Sequence, residues 1–167
     1  GTREKHQGIA IMHSEDNGKT WSEPKDIAEN VYAMFDKCSR GPVRAMFIGS
    51  GKIHQSRYTK TGKYYRLYCS MWTRDGGNRV IYSDDFGRTW QALGGASALP
   101  VPGGDEPKCE EMPDGRVIVS SRVGGGRLYN IYTYSNTLEG EGNWSTDVKC
   151  TFSGSVLTNN KQIFSTI

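Results

Sequence analysis

One eight-residue pattern occurs twice in the chain and constrains its fold more than any other feature. It reads Ser-x-Asp-x-Gly-x-Thr-Trp and covers residues 14–21, the first box, and residues 83–90, the second box. The aspartate can accept hydrogen bonds from backbone N–H groups across a turn, and the glycine can adopt the positive φ that closes it. The tryptophan then folds back as an apolar plug whose indole N–H needs one acceptor. Each box follows a short alternating strand, so the pattern predicts a hairpin turn in a repeated β unit.

Around these turns the sequence predicts an all-β chain of antiparallel hairpins. The predicted strands are alternating or short apolar runs bounded by glycine and proline turns. They cover residues 9–13, 45–48, 53–58, 64–71, 78–83, 109–112, 116–121 and 128–135. Residues 27–34 are predicted to form a helical turn or a loop, and no stretch shows an apolar stripe of helical period.

A degenerate third box covers residues 135–144. It keeps the serine, the glycine and the tryptophan but lacks the aspartate. Three turns of one kind at such spacing indicate the blades of a β-propeller, in which each blade has about four strands. A propeller needs at least ~4 blades, whereas this chain provides two to three. The chain is therefore predicted to be part of a larger propeller.

Composition disfavours several other classes of function. The 21 basic and 18 acidic residues are scattered, for a formal net charge of +3. No basic run carries interleaved aromatic residues, so nucleic-acid binding is not expected. No apolar run approaches the ~18 residues that indicate a membrane span.

The four cysteines are widely spread and form no C-x-x-C pair, which disfavours a metal site. We interpret them as isolated buried thiols. In an oxidising compartment a disulfide stays open as the alternative, and the sequence does not choose among the three two-bridge pairings. The residues are Cys38, Cys69, Cys109 and Cys150.

Residues 103–122 contain the strongest candidates for chemistry. An antiparallel hairpin with its turn at residues 113–115 brings together residues that are equidistant from that turn. Glu106 lies seven residues before the turn and Arg122 seven residues after it, so the two are predicted to face each other at one end of the sheet. The alternative is an ordinary cross-strand ion pair, which contributes little to stability when exposed.

Together these motifs resemble those of bacterial exo-sialidases. The two complete boxes are similar to the Asp boxes of the sialidase superfamily. The segment DEPKCEEMPDGRVIVSSR resembles the sialidase blade in which a glutamate is followed, after a DG turn, by an arginine. Further similar segments are FIGSGKIHQSR, YYRLYCSMW, NRVIYSDDFGRTW and GGGRLYNIYTYSNTLEGEGNW. The resemblance covers nearly the whole chain and implies a six-bladed β-propeller, of which residues 1–167 are a partial catalytic domain.

The resemblance implies a retaining exo-α-sialidase, which releases terminal sialic acid from glycoconjugates. Glu106 corresponds to the glutamate that draws the proton from a tyrosine nucleophile, and Arg122 to the second arginine of a triad that binds the sialic acid carboxylate. A neutral tyrosine avoids the repulsion that an anionic nucleophile would meet beside that carboxylate. An arginine matches the carboxylate through two parallel hydrogen bonds. Gln55 corresponds to a pocket position near the glycerol and N-acetyl groups, or else it bonds a neighbouring blade.

The same resemblance implies no cofactor and no catalytic metal. It implies sialylated glycoproteins, glycolipids and oligosaccharides as partners, and a secreted or periplasmic location with a signal peptide upstream of Gly1. The acid/base aspartate, the tyrosine and the other two triad arginines are expected outside this chain, so the chain alone is expected to be inactive. A non-catalytic glycan-binding propeller and a trans-sialidase-type relative stay open as alternatives.

Several other side chains compete with these assignments. Glu110 and Glu111 compete with Glu106 for the role of base, although their positions inside a strand favour ion pairs or a surface role. Arg57 shares the strand face of Gln55 and the same two interpretations. For the remaining aromatic and histidine candidates, packing or another structural role is favoured over chemistry. These are Trp72, Tyr129, Tyr132, Tyr134, His13 and His54.

Overall fold

The computed structural model describes residues 1–5, 8–74, 76–123, 126–134, 142–145 and 148–150. Within these ranges the chain is almost entirely β, as the sequence predicts, with a 3₁₀ helix at Arg3–Lys5 and one α-helix, α1, at Ala28–Ala33. The strands are β1 (Ala10–Ile11), β2 (Lys25–Asp26), β3 (Met46–Ile48), β4 (His54–Thr61), β5 (Tyr64–Thr73), β6 (Gly77–Ser83), β7 (Gln91–Ala92), β8 (Val101–Pro102), β9 (Asp105–Glu111), β10 (Val117–Val123), β11 (Gly126–Tyr134), β12 (Gly142–Trp144) and β13 (Val148–Cys150).

The strands form three antiparallel sheets. The first sheet contains β1 and β2. In the second sheet β3 and β4 both pair with β5, β5 pairs with β6, and β6 pairs with β7 and β8. The third sheet repeats this meander through β9, β10 and β11, with β12 and β13 both paired to β11. Each larger sheet therefore has the four strand positions of a propeller blade. The all-β class is confirmed, and the number of six blades stays a prediction.

Both faces of the second sheet are buried, which explains the apolar character of β5. Cys69 and Met71 on one face join a cluster that includes α1 and Phe35. Tyr68 on the other face joins a cluster that includes Val117 on β10. Because successive side chains of a strand point to opposite faces, a strand that is covered on both sides needs apolar residues at both sets of positions.

The cysteines that the structure describes are free and buried, as the sequence predicts: Cys38, Cys69 and Cys109. Burial raises the pKa of the Cys69 thiol to about 12, so this group stays protonated at neutral pH and is a poor nucleophile. The side chain of Cys150 lies outside the described residues. Across those residues, no helix has the length and apolar character needed to cross a membrane.

The first box folds as predicted around the carboxylate of Asp16. Its Oδ1 atom accepts the N–H of Thr20 at 2.9 Å and the hydroxyl of Ser14 at 2.8 Å. Its Oδ2 atom accepts the Thr20 hydroxyl at 2.6 Å. Gly18 has a φ of +84°, and its carbonyl accepts the indole N–H of Trp21 at 3.2 Å.

The second box repeats this geometry around Asp85. The carboxylate accepts the N–H of Thr89 at 2.8 Å, the Thr89 hydroxyl at 2.6 Å and the Ser83 hydroxyl at 2.8 Å. Gly87 has a φ of +85°, and its carbonyl accepts the indole N–H of Trp90 at 3.2 Å. The box is therefore a turn that satisfies its own polar groups.

The tryptophans of the boxes differ in burial. Trp90 is half-buried against the cluster that contains α1. Trp21 is 59% exposed, so the expectation of an apolar plug is wrong for the first box. Trp144 of the third box donates its indole N–H to the carbonyl of Leu93 at 2.8 Å, whereas residues 135–141 of that box lie outside the described residues.

The second and third sheets have two opposite ends, which residue pairs on β5 identify. At one end, the box end, Ser83 pairs with Leu67 near the start of β5. At the other end, Asn78 pairs with Trp72 near the end of β5 and donates a side-chain hydrogen bond to Ser121 on β10 at 2.6 Å. We call the latter the Arg122 end. The ten residues of β5 separate the two ends by about 30 Å.

Candidate functional site

Arg122 lies between two carboxylates at the Arg122 end of the third sheet. Its Nε donates to Oε2 of Glu106 at 2.8 Å, and its Nη2 donates to Oδ2 of Asp105 at 2.8 Å. The Arg122 side chain is 39% exposed. Two charge-assisted hydrogen bonds therefore orient a guanidinium that stays accessible to solvent.

A β-bulge produces this arrangement. β9 and β10 keep the register predicted from the turn as far as the pair Ser120–Lys108. Beyond it the register shifts by one residue, so Arg122 pairs with Asp105 instead of Glu106. The predicted cross-strand pair is thus displaced by one residue, and Glu106 reaches Arg122 through its side chain. Bulges of this kind re-aim side chains and are common beside functional sites.

The backbone of Glu106 is held in an unfavourable conformation. Its φ is +45°, in the left-handed region that costs a non-glycine residue roughly 1 kcal/mol or more. The Oδ1 atom of Asp105 accepts the N–H of Glu106 at 2.8 Å, while Oδ2 binds Arg122. One carboxylate thus fixes both the Glu106 backbone and the guanidinium. The next residue is Pro107, which has no N–H to donate to the ladder, and this suits the bulge.

Asp105 is a site residue that sequence reasoning missed. The sequence shows Asp105 only as an acidic residue directly before Glu106. In an unbroken strand, the side chains of Asp105 and Glu106 would point to opposite faces of the sheet. A one-residue bulge removes that alternation, and the sequence shows it only through Pro107.

Arg127 is a second arginine that sequence reasoning missed. It pairs with Arg122 across β10 and β11, and it donates to the hydroxyl and the carbonyl of Ser120 at 2.7 and 3.1 Å. Burial lowers the pKa of Arg127, and Arg122 lowers it further, while Glu106 opposes both effects. The site therefore contains two guanidiniums beside two carboxylates, and Arg127 is a second positive group next to the Arg122 side chain.

The loop before Asp105 lies against the second sheet because residue 104 is glycine. A Cβ atom on Gly104 would come within 2.7 Å of Nδ2 of Asn78 and 2.8 Å of Cβ of Ser121. Neither distance is tolerable without movement of the hydrogen-bonded pair that joins the two sheets. Gly104 therefore allows the close approach that places Asp105 and Glu106 at the edge of both sheets.

The structure does not bring Gln55 to this pair. Its neighbours His54 and Ser56 contact Glu110 and Glu111, which lie four and five residues along β9 from Glu106. This spacing corresponds to about 13–17 Å along the strand. The Gln55 side chain is exposed, and its assignment to the substrate pocket stays a prediction.

Glu110 and Glu111 have structural partners. Oε2 of Glu110 lies 2.8 Å from Nδ1 of His54. Glu111 is 5% exposed and accepts hydrogen bonds from the hydroxyl of Ser56 and from the N–H of Arg57, the latter at 2.7 Å. Burial would raise the pKa of Glu111, but His54 and these hydrogen bonds outweigh it and hold the pKa below its ordinary value. Both glutamates therefore join the second and third sheets.

The remaining aromatic and histidine candidates occupy several environments. Trp72 is half-buried at the Arg122 end and stacks on Phe47, with ring centroids 5.1 Å apart. Tyr132 is 4% exposed in the core and packs edge-on against Trp144. Tyr129 is half-buried on β11, and the Tyr134 side chain is outside the described residues. His54 is buried, whereas His13 is exposed in a loop after β1.

Comparison with known proteins finds sialidases among the relatives of this chain. No protein-family model matches the chain. A sialidase from Micromonospora viridifaciens is 36% identical over 119 residues, which is 70% of this chain and 16% of the relative. A sialidase from Paraclostridium sordellii is 27% identical over 128 residues, or 70% of this chain and 28% of that protein.

A solved structure supports the fold independently. The intramolecular trans-sialidase from Ruminococcus gnavus, crystallised with oseltamivir carboxylate, matches with a TM-score of 0.58 and 24% identity. The match covers 86% of this chain and 27% of that one. The four-position sheets are thus blades of a sialidase-type β-propeller. The two sialidase relatives support the interpretation of the chain as a sialidase-family fragment. The chain spans less than a third of the length of each of these three proteins.

Proposed function

We propose that the protein is an exo-α-sialidase, a retaining glycoside hydrolase that releases terminal sialic acid from sialylated glycoproteins, glycolipids or oligosaccharides. The observation that carries the proposal is the contact of Arg122 with Asp105 and Glu106 at one end of sialidase-type blades. A secreted or periplasmic location follows from the same proposal, since extracellular glycans are its substrates.

In this proposal Arg122 binds the carboxylate of sialic acid. Its Nε and Nη2 atoms hold Glu106 and Asp105, and its Nη1 has no hydrogen bond to any residue within the described ranges. A planar guanidinium that is held along one side and open along the other can accept a substrate carboxylate without first losing its own partners. Arg127 adds positive charge beside it.

Glu106 draws the proton from a tyrosine nucleophile in this proposal. Its Oε2 atom is bound to Arg122, whereas Oε1 has no hydrogen bond to the part of the chain that the structure describes. Oε1 is therefore the atom available to the phenol. Asp105 acts as a positioning residue, because it holds the Glu106 backbone and the Arg122 side chain at once.

The test is hydrolysis of a fluorogenic sialoside by the full-length protein that contains this chain, and by its variants. Glu106→Ala is expected to lower kcat by roughly 10²–10⁴-fold, the range for loss of a general base. Arg122→Ala is expected to lower kcat/KM by about 100-fold or more, because charge-assisted hydrogen bonds to the carboxylate are lost.

Arg116→Ala is the matched control. Its side chain is also 39% exposed and lies 2.8 Å from a carboxylate, that of Asp114, but it is at the opposite end of the same hairpin. Equal losses in Arg116→Ala and Arg122→Ala would overturn the role of Arg122. Full activity in Glu106→Ala would overturn the role of Glu106. If the unmodified protein binds a sialoside but does not hydrolyse it, the proposal of a hydrolase is wrong and a glycan-binding propeller is favoured. Analysis of the products distinguishes hydrolysis from a trans-sialidase reaction.

A further inference from the structure

The two boxes differ at one position where the backbone is the same. Asn17 in the first box has a φ of +60°, and Phe86 in the second has a φ of +61°. Asparagine tolerates this left-handed conformation, whereas a bulky residue there is a genuine outlier. Phe86 is also 57% exposed. Phe86 thus combines an unfavourable backbone conformation with an exposed aromatic ring. This combination indicates a role in binding rather than in stabilising the fold.

Phe86 belongs to a stacked aromatic pair at the box end, with the half-buried Tyr64. Its ring stacks on Tyr64, with centroids 5.6 Å apart and an interplanar angle of 21°. The Arg88 guanidinium lies 5.7 Å from the centre of the Tyr64 ring, and the ammonium of Lys63 lies 4.9 Å from it. We call these four side chains the Phe86 platform. It combines a flat apolar surface with two cations on its edge.

The cations of the Phe86 platform have no carboxylate partner among the residues whose placement is described. Asp84 is bound by Arg66 at 2.7 and 2.8 Å. The nearby Asp85 carboxylate is occupied by Thr89 and Ser83 inside the box. Lys63 and Arg88 therefore leave a local excess of positive charge beside the aromatic pair.

The hydroxyl of Tyr64 completes the polar edge of the platform. It lies 3.4 Å from Nη1 of Arg88, and a hydrogen bond from Lys63 followed by the nearby Arg88 lowers its pKa. Three donor groups on these residues therefore lie around one position at the rim of the stacked rings, where an anion would be well placed.

We propose that the Phe86 platform is a second binding site, specific for an acidic saccharide. The C–H face of a sugar ring packs on Phe86, and its carboxylate or sulfate group binds Arg88 and Lys63. The platform lies about 30 Å from the Arg122 end, the length of β5. Binding at the platform is therefore independent of the candidate active site and of the proposed hydrolytic function.

The experiment is isothermal titration of the intact protein in an Arg122→Ala background, which weakens binding at the candidate active site. The probes are an α2,8-linked oligosialic acid, which carries carboxylates, and a heparin-derived hexasaccharide, which carries sulfates. A neutral maltohexaose is the ligand control. Binding of either acidic probe, with no binding of maltohexaose, is the expected result, and the stronger probe identifies the anion.

Two variants then locate the binding. Phe86→Asn installs the residue that the first box has at this position, so the turn is expected to stay folded while affinity falls by about 10-fold or more. Arg88→Ala is expected to weaken binding similarly and to reduce its salt dependence. Lys19→Ala, the equivalent change in the first box, is expected to have no effect. Unchanged affinity in Phe86→Asn, or no binding of either acidic probe at millimolar concentration, would overturn the proposal.

Discussion

The first and second boxes have the same internal hydrogen bonds but very different surroundings. The N–H of Thr20 donates to Asp16 at 2.9 Å, and that of Thr89 donates to Asp85 at 2.8 Å. The indole hydrogen bonds are 3.2 Å long in both boxes. Yet the tryptophan of the first box, Trp21, is exposed, while that of the second box packs against the core.

This difference separates two sources of stability. The hydrogen bonds of a box are closed within eight residues, so they form wherever the sequence occurs. The apolar contribution of the tryptophan depends on what the rest of the chain places beside it. The same motif is therefore expected to stabilise the protein unequally at its two positions.

The largest expected effect is the loss of the tryptophan that packs against the core. Trp90→Ala is expected to lower the free energy of unfolding by about 3 kcal/mol, because a large ring leaves a packed cluster. Trp21→Ala is expected to cost less than ~1 kcal/mol, since an exposed ring loses little burial. Urea denaturation of both variants measures the difference. Equal losses would mean that the local hydrogen bond of the indole, rather than its burial, determines the contribution.

A smaller effect is expected when the carboxylate of the second box is removed. Asp85→Ala leaves the buried hydroxyl of Ser83, as well as the N–H and the hydroxyl of Thr89, without their acceptor, at a cost of about 2 kcal/mol in unfolding free energy. Asp16→Ala is expected to cost less, because its serine partner, Ser14, is only half-buried and can bond to water more easily than the buried Ser83. Thermal unfolding at fixed pH tests this order. A larger loss in Asp16→Ala would contradict the account.

The smallest effect concerns pH. The side-chain hydrogen bond from Thr20, together with the Thr20 N–H and Ser14, lowers the pKa of Asp16 to about 2. A carboxyl group whose pKa is lowered in the folded state stabilises the fold at pH values above its ordinary pKa. This contribution is lost as the pH falls from about 4 to about 2. A carboxyl NMR titration measures the midpoint. Thr20→Val is expected to raise it, and a midpoint that stays the same would show that Thr20 is not the cause.

Much of the fold followed from periodicity and turn residues. Alternation predicted the strands from Met46 to Ser83, and antiparallel counting around the 113–115 turn predicted the hairpin of β9 and β10. Strand ends were less accurate: β9 begins at Asp105, four residues before its predicted start. The residues added there are three charged residues and a proline, so they carried no strand signal. They pair because β10 continues opposite them.

Prediction of the site succeeded only in part, for a similar reason. Equal spacing from the turn brought Glu106 and Arg122 together, and the structure places their side chains in contact. Asp105 and Arg127 were missed because their proximity depends on a bulge and on the pairing of a third strand. Neither feature has a periodic signature. The catalytic roles of Glu106 and Arg122, and the pocket role of Gln55, stay predictions for the activity measurements above.

By itself, the sequence determined the box turns, the antiparallel hairpins and the all-β class, because each depends on interactions between residues close along the chain. The tertiary structure decided which tryptophan is buried, that Asp105 rather than Glu106 pairs with Arg122, and that Phe86 is exposed beside two cations. These outcomes depend on how one sheet packs against the next and on a one-residue shift in register. Such a shift changes which side chains face each other without changing the composition of either strand.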